Sequence, residues 1–301
     1  MKLQLLLPPL LVGCVINGDR YRRPNELSPV WFVDRARVLA VQAEPPEIRP
    51  GQTASFEALL ATPDSEEPYS VVWIACPADG GGIGFGCALD FADIDLTNAT
   101  PDQLAALGFI GFEPLLPPVY TAPDDILDGL DDPARREGAY VLIQVTAIPP
   151  GALDEGRRGN PEIDFNEVEA AYKRLIVSEA TTPNHNPVPG PFSVAGRTVA
   201  PGSIVHVDPD QPYKLALEIP TASVESYEFV NRDGEVEIRV EEPYVAWFST
   251  DGEMAEEVTL YPYTAADWYS PSKRGAAGTW YAVVRDRRGG QGWHTQQWVV
   301  D

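Results

Sequence analysis

Proline and glycine cut this sequence into short pieces. Thirty Pro and twenty-five Gly fall between short runs rich in Val, Ile and Tyr, and a chain punctuated so often builds strands joined by turns in preference to long packed helices. Its 301 residues are about twice a common single-domain length, which makes two domains the starting expectation. Seven Trp, twelve Tyr and ten Phe are enough to give each its own core.

Strand candidates appear in a telling order. Arg37 to Glu44 and Thr53 to Leu60 flank the turn pair Pro50-Gly51, and a third run, Tyr69 to Ala75, carries Trp73. Strand, turn, strand and then a Trp-bearing strand resembles an immunoglobulin-like sandwich. Residues 90–137 break the pattern and read as an insertion. Within them TPDQLAAL, from Thr100, has an N-cap residue followed by Pro, the signature of a short helix, and DDILDGL near Asp125 suggests a further helical turn. The run Ala139 to Ile148 is apolar enough for a central strand. Residues 168–179 are ambiguous between helix and strand, with β-branched Ile176-Val177 favouring strand in the second half.

TTPNHNPVPGP, starting at Thr181, is linker-like in composition. Beyond it lie seven strand candidates in about 110 residues, the count expected of one more sandwich. PYVAWFSTDGEM (243–254) and TWYAVVRDRRGGQGWHTQQWVV (279–300) resemble the Trp-bearing strand and final hairpin of Ig-like domains of the polycystic-kidney-disease and cadherin type. In those domains a V-x-D-x-x-G turn joins the last two strands, matching Val284, Asp286 and Gly289. The expected fold is mainly β: two tandem Ig-like β-sandwich domains, 37–180 with a partly helical insertion and 188–301, joined by a linker at 181–187.

The N-terminus gives an address. Lys2 precedes a Leu-rich stretch too short to span a hydrocarbon core and broken by Pro8 and Pro9. Leu11-Val12-Gly13-Cys14 resembles the lipobox of bacterial lipoproteins. That resemblance implies a signal peptide over 1–13, lipid on Cys14, a tether over 14–36 and attachment to the membrane through several acyl chains. Val15 after the Cys, in place of Asp, favours the outer membrane. With RVLAV-x-AEPPEI-x-PG, PN-x-NP and the closing hairpin, the whole chain is similar to predicted lipoproteins of myxobacteria. With Cys14 assigned to lipid, Cys76 and Cys87 remain as an even pair in an oxidising compartment. A disulfide between them would remove roughly 2.5–3 kcal/mol of unfolded-state entropy; two free buried thiols are the alternative.

A formal charge of −23 argues against nucleic acid, whose phosphates need neutralising. G-x-S-x-G, H-E-x-x-H, P-loop and C-x-x-C motifs are all missing, and His185, His206 and His294 have no zinc spacing. GGGIGFG (80–86) fails the dinucleotide spacing and reads as a loop closed by Cys87. Asp90, Asp93 and Asp95, and Asp124, Asp125 and Asp128, are candidate calcium ligands, although neither stretch has an EF-hand pattern and a solvated acidic insertion is the plainer reading. Trp247, Trp268, Trp280, Trp293 and Trp298 could form a carbohydrate-binding platform or pack in the core. The sequence thus points to a lipid-anchored envelope protein, a non-catalytic binding or structural module with an envelope protein or glycan as partner and no required cofactor. Calcium-dependent adhesion or carbohydrate binding is the alternative.

Overall fold

The computed structural model describes residues 29–63, 67–76, 100–151, 168–231 and 235–301. Its first half forms β1 (Arg37–Glu44), β2 (Glu47–Ile48), β3 (Thr53–Ala61), β4 (Ser70–Cys76), β5 (Phe109–Glu113), β6 (Val119–Thr121), β7 (Ala139–Ile148) and β8 (Glu169–Val177), with short helices α1 (Pro101–Ala106) and α2 (Asp132–Glu137). One sheet has the order β1-β3-β6 and the facing sheet β2-β8-β7-β4-β5. Pairing is antiparallel except for β2, which runs parallel to β8 after the chain changes sheets at Pro45-Pro46. Proline cannot donate a ladder hydrogen bond, so this is a natural point for a strand to leave its sheet.

Period-two burial builds the core between these sheets. Along β7, Val141, Ile143, Val145 and Ala147 are buried, the first three in one cluster with Val41, Ala43 and Phe56 of the other sheet. Trp73, fully buried on β4, lies 5.9 Å from Phe56 between ring centroids, and its indole N–H donates to Glu113 on β5 over 2.9 Å. α1 forms where expected, with Thr100 and Gln103 in a reciprocal capping box. Residues 90–137 are not wholly an insertion, because β5 and β6 within them are sheet strands. α2 was not anticipated; the Asp131 side chain caps it and Gly138, at φ 88°, ends it.

The second half forms β9 (Phe192–Val194), β10 (Arg197–Thr198), β11 (Ile204–Val207), β12 (Pro212–Leu217), β13 (Ser226–Val230), β14 (Val236–Val240), β15 (Tyr244–Ser249), β16 (Glu253–Met254), β17 (Val258–Leu260), β18 (Ala265–Tyr269), β19 (Ala277–Arg285) and β20 (Gln291–Val300). Sheets β10-β9-β12-β18-β16 and β11-β20-β19-β15-β17 face each other, while β13 and β14 form a separate ribbon. Again the short strand β11 pairs parallel with the last strand, and again the Trp-bearing strand, β15, lies beside the penultimate one. Trp247 repeats the bond of Trp73, donating to Thr259 on the neighbouring strand β17 over 2.8 Å.

The strands YVAWFS and WYAVV are apolar without alternation because both of their faces are covered. Trp247, Trp280, Ala282 and Val284 fill the core between the C-terminal sheets, whereas Ala246, Phe248, Tyr281 and Val283 point the other way. There they meet Leu39, Ala40, Leu59 and Ala61 on the outer face of β1 and β3. A register irregularity between Val38 and Ala40 accompanies this two-faced burial of β1. The four large sheets therefore stack with a third apolar core in the middle. Burying each Leu, Val or Phe there contributes on the order of 1.5–3 kcal/mol. The end of the expected tether joins this arrangement: Val33 N–H donates to Ser249 O over 2.9 Å, and Val33 is fully buried.

Candidate interaction site at the junction of the sandwiches

The turn between β19 and β20 contains Asp286, whose side chain folds back over its own backbone. Its Oδ1 accepts from the N–H groups of Arg288 (2.7 Å), Gly289 (2.9 Å) and Gly290 (2.9 Å), the local bonding that makes Asp a turn residue. Gly289 takes φ 113°, outside the range of L side chains. A Cβ on Gly290 would lie 2.1 Å from the Asp286 carboxylate, so only glycine fits beneath it. Burial pushes the Asp286 carboxyl above its usual range against these bonds.

Both sandwiches and the connecting segment converge on this turn. Asn184 donates to Asp286 Oδ2 over 2.8 Å, and the Asn184 N–H donates to Glu47 over 2.7 Å. Ser178 also donates to Glu47, and the Lys173 ammonium donates to Gly289 O. Arg288 lies over the Tyr227 ring at 4.2 Å and pairs with Glu241 at 3.1 Å, Glu225 at 3.3 Å and Glu47 at 3.5 Å. Asn186 bonds Ala43 O and accepts from Gln291 N–H. The segment read as a linker is therefore hydrogen-bonded to both sandwiches along its length. Burial holds Lys173 down at about 8 and pushes Glu241 up.

Above this polar node is a groove of about 420 Å³. Tyr140 and Arg174 from the β7–β8 face form one wall, Tyr227 and Phe229 of β13 another, and Arg136 and Arg287 stand at its rim. Arg174 lies 5.7 Å from the Tyr140 ring centroid. Among the described residues, neither Arg136 nor Arg174 has an ion-pair partner. Guanidinium groups beside aromatic rings can hold a carboxylate and stack a planar group.

The anticipated site residues are spread elsewhere. Cys14, Cys87, Asp90, Asp93, Asp95 and GGGIGFG lie outside the described residues. Cys76 ends β4 and is buried. Asp124, Asp125 and Asp128 are all exposed in the turns after β6, and no group of three metal-ligating side chains forms among the described residues. Trp247, Trp268, Trp280 and Trp298 are at most 1% exposed, so they form the core and not an exposed platform. His185 and His206 each contact a carboxylate, and His294 stacks on Phe192 at 4.8 Å. The V-x-D-x-x-G pattern marks Asp286 as a turn residue, whereas no sequence motif gives a role to Lys173, Glu47, Asn184 or Arg288. The unusual PNHNP segment was the available signal.

The strand order and the buried Trp beside the penultimate strand in each sandwich define an immunoglobulin-like β-sandwich protein. No family model and no curated protein matches the sequence. Among solved structures, the chain is similar to three N-terminal domains of the bacteriophage RB49 Hoc protein, at 8% identity and TM-score 0.21, covering 88% of this chain and 59% of that one. It is also similar to the two tandem V-type regions of VCBP3, a v-region-containing chitin binding protein, at 12% identity and TM-score 0.22, covering 88% and 99%. Dpr2 Ig1-Ig2, solved in complex with DIP-Theta, gives 12% identity and TM-score 0.19, covering 85% and 94%. Likeness at this level says nothing about ligand or activity.

Proposed function

We propose that this chain is a lipid-anchored cell-envelope protein of two Ig-like domains, held side by side to act as a non-catalytic binding module. The junction groove is its binding surface, and the occupant is a carboxylate-bearing envelope protein or glycan. The observation that carries this reading is the groove itself, where Arg136 and Arg174, which have no ion-pair partner among the described residues, line the same space as Tyr140 and Tyr227. A lipobox-like Leu11-Val12-Gly13-Cys14 supports the anchor, and a charge of −23 speaks against nucleic acid as the occupant. Calcium-dependent adhesion has less support, because its described carboxylates are exposed on turns.

A photo-cross-linking residue at Tyr140 in intact cells tests the groove. The expected result is an adduct that Arg174→Glu removes and that the same residue at Tyr263, 84% exposed, does not give. No Tyr140-specific adduct would contradict the reading. For the anchor, Cys14→Ser should abolish palmitate labelling and release the protein from membranes; equal labelling in both proteins would overturn it.

A further inference from the structure

The β13–β14 ribbon is inserted between β12 and β15, and all five residues of β14 are exposed. Hydrogen bonds just beyond its ends fix which way its backbone points. Asn231 N–H donates to Glu235 O, and Glu241 N–H donates to Glu225 O. Antiparallel ladders alternate, so residues 235, 237, 239 and 241 direct their backbone groups at β13. Those of Val236, Ile238 and Val240 point away, to an edge that no described strand occupies. The side chains of these three are 51%, 70% and 59% exposed. An apolar edge strand with unpaired backbone groups is a template for another strand.

We propose that β14 pairs antiparallel with β14 of a second copy of this chain, about a two-fold axis through Ile238. The sequence VEIRV is complementary to itself in that register: Val236 faces Val240, Ile238 faces its own copy, and Glu237 faces Arg239 twice. The register also places Val236, Ile238 and Val240 in the hydrogen-bonded positions, as their outward backbone requires. Glu237 and Arg239 then occupy the non-hydrogen-bonded pairs, where side chains come closest. A slide of two residues either way would set Glu237 against Glu237 or Arg239 against Arg239, which like-charge repulsion disfavours. Arg239 is already held on the Glu237 side of the ribbon, 2.8 Å from that carboxylate and 3.4 Å from the Phe229 ring centroid. The surface is isologous and closes on itself, giving a dimer and not a fibre. Five-residue strands bury little area, so the pairing is weak in solution and gains from two copies sharing one membrane.

Covalent trapping in the full chain tests this. Ile238→Cys should give a disulfide-linked dimer on mild oxidation, because position 238 faces itself, whereas Val236→Cys should not. Adding Arg239→Glu to Ile238→Cys should reduce the linked dimer at least tenfold, and further adding Glu237→Arg should restore it. Equal linkage from Ile238→Cys and Val236→Cys, indifference to the charge reversals, or linkage of Ile238→Cys only to a different protein would each overturn the proposal.

Discussion

Asn184 donates its side-chain amide to the Asp286 carboxylate over 2.8 Å, joining the connecting segment to the closing hairpin of the second sandwich across 102 positions of sequence. The same asparagine reaches Glu47 of the first sandwich through its backbone. Asp286 thus organises its own turn and anchors the segment that holds the sandwiches together. Asp286→Ala would strand three backbone N–H groups and the Asn184 amide in a mostly buried site and leave Lys173 short of negative charge. A loss of about 3–5 kcal/mol is expected from removing one partner of such a network. Asp286→Asn, which keeps one acceptor oxygen, should lose about 1–3 kcal/mol. Urea unfolding of both variants checks the order, and equal losses would contradict the roles given to the two oxygens.

Lys173 imposes a pH dependence. Folding lowers its ammonium from an ordinary 10.5 to about 8 through burial, so the charged lysine opposes folding below pH 8 and that opposition fades as pH rises toward 10.5. Lys173→Met removes it at every pH. The melting temperature of the variant relative to wild type should therefore be highest near pH 7 and fall steadily toward pH 10. A difference independent of pH over that interval would contradict a buried, charge-strained lysine.

Each sandwich pins its core Trp to the neighbouring strand: Trp73 to Glu113 and Trp247 to Thr259. Trp247→Phe keeps an aromatic ring but leaves the buried Thr259 hydroxyl without its donor, at a cost of about 1–3 kcal/mol for the orphaned group, plus lost packing. Thr259→Val in the Trp247→Phe background should recover part of the loss. Chemical denaturation of the three proteins decides this, and no recovery would assign the whole loss to packing.

Cys76 at the end of β4 and Cys87 are expected to be joined. Alkylation of unfolded protein before and after reduction should differ by two groups, and Cys87→Ser should lower stability by roughly 2–3 kcal/mol. An equal number of groups under both conditions would remove the disulfide.

Local pattern carried much of the fold. The bounds of β1 and β7 coincide with the runs that suggested them, because each is bounded by turn residues or by a change of period. β8 is strand from Glu169, although EAAYKR suits a helix by composition; pairing along the whole of β7 overrides that preference. Short strands such as β6 and β17, three residues each, lack enough residues to show a period. The middle core was legible only as an excess, in runs like YVAWFS that are apolar on both faces, and the residues covering the second face lie some 200 positions away. The junction was hidden for the same reason. Asp286 stands out through its turn motif, but nothing local ties Glu47, Lys173 and Asn184 to it, or Arg288 to Glu47, Glu225 and Glu241.

The rigidity of the junction is best measured by pulsed electron spin resonance between non-cysteine spin labels at the exposed positions Glu57 and Lys214, one on each sandwich. Nine buried residues in the shared core and the Asp286 node together predict one narrow distance distribution in the wild type, broadened by Phe248→Ala combined with Asp286→Ala. A broad or multiple distribution in the wild type would contradict a locked pair of sandwiches.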